Sequence, residues 1–377
     1  MTRSLRASAF ELPPHLQGLD RFEAGRPIAE VQRELGLRDV IKLASNENPL
    51  GPSPLALAAA RAALEDVNRY PDPQASGLRA ALAAHLGVPV EQVLAGNGSV
   101  EIIELAARAL LGPGDNAVIS EHAFVRFRQI VAAHNRGARL VPARDYAHDL
   151  AAMAKAIDAR TRLVFVANPN NPTGSWSRRA EVEALVAALP AGCLLVLDEA
   201  YFEFARDGAD ADQYPDGIEL VRRGAPVLVT RTFSKLYGLG GLRAGYAVAA
   251  PEVLDALIVL REAFGTNSVA QAAAAAALGD REHVRRTLEL NRVERPRLAA
   301  ALADRGFRVL PSLANFVTFD CGRPGRELFR DLLARGVIVR PLDPYAMASW
   351  LRVSVGTAGE NDRFIQALDA ACEKQGA

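Results

Sequence analysis

The sequence is poor in lysine, in cysteine and in net charge, and each shortage excludes something. Lysine and arginine together number 44, as do aspartate and glutamate. No net field therefore steers the chain toward nucleic acid or an acidic membrane surface. The three cysteines, Cys193, Cys321 and Cys372, are odd in number and far apart. They make neither a disulfide framework nor a CxxC metal pair, which suits a reducing cytoplasm. The opening residues, MTRSLRASAFELPP, lack the unbroken apolar stretch of a secretory signal, and no later run is long enough to span a bilayer. The six histidines show no HExxH, and Ser99 sits in no GxSxG elbow, so neither metal nor serine hydrolysis has its motif and no metal ion is expected. The expectation is a soluble, cytoplasmic protein.

The scarcity of lysine narrows the search for a primary amine to Lys42, Lys155, Lys235 and Lys374. Lys374 lies among the last residues, where chains commonly fray. Lys155, in AAMAKAID, falls in an Ala-rich helical stretch that calls for a solvated face. Lys42, in VIKLASNENP, belongs to a short strand leading to a loop and can be structural or functional. Lys235 has a richer setting.

What the chain does have is length and alternation. At 377 residues and 50% hydrophobic, it can build more core than one compact domain usually holds. Residues 1–50 read as an arm with one short helix at about 27–35. Residues 51–275 read as a large α/β domain and 276–377 as a small α+β domain. In the large unit, helical patterns at Leu55–Val67, Gly77–Leu86, Val100–Leu111, Ala180–Leu189 and Pro251–Ala263 take turns with apolar runs. Those runs, Asn116–Ile119, Leu163–Val166, Cys193–Leu197 and Pro226–Val229, fit buried parallel strands. Right-handed crossovers and a mostly parallel sheet covered by helices follow. The tract from Gln271 to about Gly306 reads as helix, with Pro296 expected to kink or interrupt it. FRVLPS, ANFVTFD, VIVRPL and LRVSV then supply the strands of the small unit.

Ligands bind open α/β sheets where strands end, and four such places stand out. In LAGNGSVEIIEL the turn Gly96-Asn97-Gly98-Ser99 opens onto an amphipathic helix, whose first amides can meet an anion. The same turn can be a tight connection only. It is no dinucleotide fingerprint, because Glu101 breaks GxGxxG, and no Gly-Lys-Ser/Thr follows. In LVFVANPNNPTGS the prolines fix direction and the amides can donate to a ring oxygen, or simply build an Asx-Pro turn. In LLVLDEAYFEF, Asp198 ends a buried strand, where a carboxylate needs a partner. A cationic ring nitrogen would serve, with the Tyr201 phenol beside it; a helix N-cap is the alternative. In PVLVTRTFSKLYGLGGLRAGYAVA, Thr232, Ser234, Lys235 and Arg243 surround a Gly-rich turn after a strand ending at Thr230. A lysine held off water is the better nucleophile, and hydroxyls with a guanidinium suit a phosphate.

Together these motifs resemble the fold-type I pyridoxal-phosphate aminotransferases, and within them the histidinol-phosphate aminotransferase family. The likeness runs in order through LASNENPLGPSP, RYPDP, GNGS, NPNNPTG, LDEAY, RTFSKLYGLGGLRAGY, NF and LRVSVG. It implies pyridoxal 5'-phosphate as cofactor, with Lys235 as the Schiff-base lysine and proton shuttle and Asp198 as partner of the pyridinium. It implies that Asn171 and Tyr201 donate to the cofactor's phenolic oxygen. Gly98, Ser99, Thr232, Ser234 and Arg243 fall where the phosphate is held, with Val100 next to them. Phe124, in SEHAFVRF, matches the ring that stacks on the pyridine. Tyr70 resembles the tyrosine that reaches the phosphate of the neighbouring subunit, which implies a homodimer with shared sites. Arg352 matches the clamp on a substrate carboxylate, Arg340 the contact to the other anionic end, and Asn46 lines the same site.

The implied reaction is ping-pong transamination between histidinol phosphate and 2-oxoglutarate/glutamate, in histidine biosynthesis. Two departures open an alternative. Phe22, in LDRFEAGRP, stands where relatives often carry Tyr, and Val100 stands where many have Asp or Asn. Losing a hydrogen bond to a charged group costs about 1.5–3 kcal/mol, enough to favour an aromatic amino acid, phenylalanine or tyrosine. A decarboxylase of an amino-acid phosphate would use the same lysine, aspartate and arginine. A regulator built on the scaffold would need a helix-turn-helix domain, for which the arm is too short.

Overall fold

The computed structural model describes residues 12–17, 25–208 and 210–373. A short strand, β1 (Ile41–Lys42), precedes the main sheet. That sheet has seven strands: β2 (Val93–Gly96), β3 (Asn116–Ser120), β4 (Gly137–Val141), β5 (Thr161–Ala167), β6 (Leu194–Asp198), β7 (Val227–Thr232) and β8 (Gly245–Val248). Their order is β2-β8-β7-β6-β5-β3-β4. Every neighbouring pair from β7 to β4 is parallel, and β8 alone runs antiparallel between β7 and β2. The apolar runs are continuous because both faces are covered. Val164, Val166, Leu195, Leu197, Val227 and Val229 belong to one apolar cluster. Leu163, Phe165, Leu194, Val196 and Leu228 belong to another.

This topology brings the ends of β2, β3, β5, β6 and β7, and the start of β8, to one edge of the sheet. All four strand-end motifs lie there. β4 was not expected from the sequence; it is an outer strand, and Gly137–Leu140 face solvent, so no apolar run announces it.

A second sheet is formed by β9 (Arg308–Leu310), β10 (Phe316–Asp320), β12 (Arg340–Pro341) and β13 (Trp350–Ser354), in the order β12-β13-β10-β9 and fully antiparallel. Strand β11 (Val337–Ile338) pairs instead with β1. VIVRPL therefore serves two sheets, changing at Val339. The β1 pairing, with Leu43 N–H donating to Ile338 O and Ser354 N–H to Leu43 O, leads residues 43–46 along β13. The expected single helical tract is two helices, Ser268–Ala277 and Arg281–Ala303. The break falls at Gly279–Asp280, where Asp280 caps the second helix by accepting from His283 N–H, and not at Pro296. Buried Asn291, Glu294, Leu298 and Leu302 hold the helix on both sides of that proline.

Candidate active site

The anion-binding end of the site starts at a helix that opens without a side-chain cap. Ser53, Asp149, Asn267 and Asp280 each cap their helices with an oxygen. Gly98, at φ 83°, has none to offer helix Ser99–Leu110, so its first amides stay open to a ligand. The turn is pressed onto β8: a Cβ on Gly245 would stand 2.3 Å from Ser99 N, and one on Gly98 would stand 2.7 Å from Arg243 Nη2. Only glycine fits at either place. Ser234 N–H donates to Thr232 Oγ1 at 3.1 Å, and Arg243 Nη1 donates to Ser234 Oγ at 3.3 Å and to Gly240 O at 3.0 Å. Two hydroxyls, a guanidinium and a helix N-terminus thus converge. Val100 joins through its backbone, since its side chain packs against an apolar cluster.

Lys235 stands three residues beyond β7. Its Nζ donates to Ser45 O at 3.1 Å. Burial pushes its pKa down to about 8, and the Arg352 charge pushes the same way. Asp198, 6% exposed at the end of β6, accepts from Thr230 Oγ1 at 3.1 Å. Burial raises its pKa to about 6. Each group is held in an environment that disfavours its charge, which a cationic ring and an electrophile would relieve.

Two side-chain amides are oriented by their hydrogen-bond partners. Arg352 Nη1 donates to Asn171 Oδ1, so the amide nitrogen of Asn171 faces away from Arg352. Asn46 Nδ2 donates to Tyr201 Oη at 2.8 Å. Burial pushes the Tyr201 phenol up to about 12, so it stays a proton donor. Arg352 Nη2 donates to Ala44 O at 2.7 Å, while its Nε is buried without a partner. A buried guanidinium with a spare donor suits an anionic substrate group. Arg340 lies on β12 with its Cα paired to that of Arg352. Phe124 follows β3, half-buried, with its ring edge-on to Phe127 at 5.7 Å between centroids.

The structure brings Lys235, Asp198, Tyr201, Asn46, Asn171 and Arg352 together, with Gly98, Ser99, Thr232, Ser234 and Arg243 as the neighbouring cradle. Tyr70 is not among them in one chain: it is 83% exposed, stacked on Phe264 at 4.6 Å. Phe22 lies outside the described residues. Thr230, Ser45, Ala44, Asn315 and Ser354 touch the site residues although sequence reasoning did not single them out as site residues. Ala44 and Ser45 in LASNENP, Asn315 in NF and Ser354 in LRVSVG lie inside the quoted motifs, and Thr230 is the register neighbour of Asp198. Among the described residues no group of three or more His, Cys, Asp or Glu side chains is placed to share a metal ion. No described helix is long and apolar enough to cross a membrane.

Residues 38–368 match the family described as aminotransferase class I and II. The chain is 49% identical over 361 residues to a histidinol-phosphate aminotransferase of Anaeromyxobacter sp., covering 95% of this chain and 98% of the relative. It is 44% identical over 359 residues to histidinol-phosphate aminotransferase 1 of Nitrosococcus oceani, covering 95% and 96%. A crystal structure of histidinol-phosphate aminotransferase from Sinorhizobium meliloti in complex with pyridoxal-5'-phosphate is similar at a TM-score of 0.87 and 32% identity, covering 99% of this chain and 100% of that one.

Proposed function

We infer that this chain, which belongs to the class I and II aminotransferases and within them to the histidinol-phosphate aminotransferase family, moves an amino group between histidinol phosphate and 2-oxoglutarate in histidine biosynthesis. The observation that carries this reading is the half-buried Lys235, its amine's pKa lowered to about 8, at the same sheet edge as Asp198 and the glycine-lined cradle. The residues fit pyridoxal 5'-phosphate. The turn that Gly98 and Gly245 let pack closely against Arg243 and β8 would take the phosphate, with Thr232, Ser234, Arg243 and the amides of Ser99 and Val100 as donors. Asp198 would meet the ring nitrogen, Asn171 and Tyr201 the ring oxygen, and Phe124 the ring face. Lys235 Nζ is the point of covalent attachment.

Once bound, the cofactor supplies the electron sink that makes a proton on the substrate's Cα removable. Lys235, released when the substrate amine takes its place, would accept that proton at Nζ as general base, its lowered pKa favouring the neutral form. Asp198 stays ionised once it faces a positive nitrogen, because an opposite charge outweighs the burial that raises its pKa alone. Arg352 and Arg340 hold the carboxylates of glutamate and the phosphate of histidinol phosphate in turn. The Tyr70 ring, 83% exposed and stacked on Phe264, itself 41% exposed, supports a homodimer in which it enters the partner's site. The reduced, separated cysteines fit work in the cytoplasm.

A direct test mixes cofactor-loaded protein separately with histidinol phosphate, phenylalanine and tyrosine, and follows the loss of the cofactor's aldehyde absorbance. Histidinol phosphate is expected to convert it fastest. Conversion by the aromatic amino acids alone would establish the aromatic reading, and release of carbon dioxide would establish the decarboxylase.

A further inference from the structure

We propose that Ser354 is a positioning residue, which sets the direction of the Tyr201 hydroxyl by locking the side-chain amide of Asn46. The three groups come from separate parts of the chain: the end of β13, the segment after β1, and the turn after β6. They are 2%, 1% and 3% exposed, so no bulk water competes for their hydrogen bonds. The inference rests on the reading of Tyr201 as a donor to the cofactor's ring oxygen.

Hydrogen-bond accounting carries the argument. Ser354 Oγ accepts the Asn46 backbone N–H at 2.8 Å, and its own proton goes to Asn46 Oδ1 at 3.0 Å. With its oxygen end occupied, the Asn46 amide presents Nδ2 to Tyr201 Oη at 2.8 Å. An amide N–H2 can only donate, so Tyr201 must accept there, and its single proton is left to point elsewhere. The opposite amide orientation would put Oδ1 against the phenol and capture that proton. It would also leave the Ser354 proton facing an N–H2 group. The backbone holds the asparagine in place: Asn46 is at φ 53°, and its carbonyl accepts from Asn315 Nδ2 at 3.1 Å. Ser354 N–H itself donates to Leu43 O at 2.8 Å, so strand and arm move as one. The amide can therefore exchange its ends only by rotating its side chain, and the serine hydroxyl decides between them.

The test titrates the absorbance of the bound cofactor against pH in the holoenzyme. A proton donated by Tyr201 to the ring oxygen favours its anionic form and keeps the titration midpoint low. Ser354→Ala and Ser354→Val are expected to raise the midpoint by about 0.5–1 pH unit, roughly a three- to tenfold change in proton affinity. Ser354→Thr, which keeps the hydroxyl, is expected to titrate like the unsubstituted enzyme. Tyr201→Phe is expected to raise the midpoint at least as far, and adding Ser354→Ala to it is expected to move it no further. A midpoint unchanged in both Ser354→Ala and Ser354→Val would overturn the proposal, as would full additivity with Tyr201→Phe. The Thr and Val variants differ by one hydroxyl, so a folding defect common to both is distinguished from the hydrogen bond. Failure of Tyr201→Phe itself to shift the midpoint would instead overturn the role assigned to Tyr201, and the proposal with it.

Discussion

Two cations four residues apart, Arg231, 3% exposed, and the half-buried Lys235, are both drawn off water, yet the structure treats them oppositely. Arg231 is paired with two carboxylates. Its Nε and Nη2 donate to Glu199 Oε2 at 2.9 and 2.7 Å, and Nη2 also reaches Asp216 Oδ1 at 2.7 Å. The guanidinium lies 3.3 Å from the centre of the Phe202 ring, and the second Glu199 oxygen accepts Gly217 N–H at 2.9 Å. Burial alone would lower its pKa, but the facing Glu199 charge holds it above the ordinary value. Lys235 has one carbonyl, and among the described residues no carboxylate within ion-pair distance. Its charge is disfavoured. A buried cation with all its partners fixes structure, whereas one left short of partners is available for chemistry.

Removing each cation should separate the two roles. Lys235→Ala is expected to lower kcat by a factor of about 10³ or more, since general-base action alone contributes on the order of 10²–10⁴. Its urea midpoint should stay near that of the unsubstituted protein; a large drop would make Lys235 structural as well. Arg231→Met is expected to do the reverse at equilibrium, costing about 3–5 kcal/mol in urea unfolding because Glu199 is left buried and unpaired. Adding Glu199→Gln should recover part of that loss, and no recovery would show that the pair is not the source.

Asp198→Asn sharpens the contrast from the side of the lysine's neighbour. Without the carboxylate to hold a positive ring nitrogen, kcat is expected to fall by about 10²–10³, the range for losing one preorganised electrostatic partner. An unchanged kcat would move that role elsewhere.

The smallest effect concerns pH. Attachment of pyridoxal 5'-phosphate to the cofactor-free protein requires the neutral amine. Its rate should therefore rise with pH and level off above about 8, the lowered pKa of Lys235. Arg352 contributes to that lowering, so in Arg352→Gln the midpoint should move to higher pH in stopped-flow absorbance. A midpoint that stays put would show that burial alone sets the value.

Much of this is legible in the sequence. LVFV and LLVL announce strands buried on both faces, and ligand residues at strand ends follow from the sheet they make. Lys235 and Asp198 are conspicuous because a scarce amine and a carboxylate at the end of an apolar run are costly to place without purpose. What stayed hidden depends on distance along the chain. Ser354 meets Asn46 across 308 residues, and Asn46 meets Tyr201 across 155, with no local pattern to tie them. The helix break at Asp280 was hidden by Pro296, the stronger breaker on paper, which packing on both sides overrides.

The central claim is that one ε-amine holds the cofactor, and borohydride reduction of the loaded enzyme followed by trypsin and mass mapping tests it most directly. A modified lysine is not cleaved, so the label should appear on Thr232–Arg243, the peptide TFSKLYGLGGLR, with its mass added at Lys235. Label on a peptide carrying Lys42 or Lys155, or on none, would contradict it.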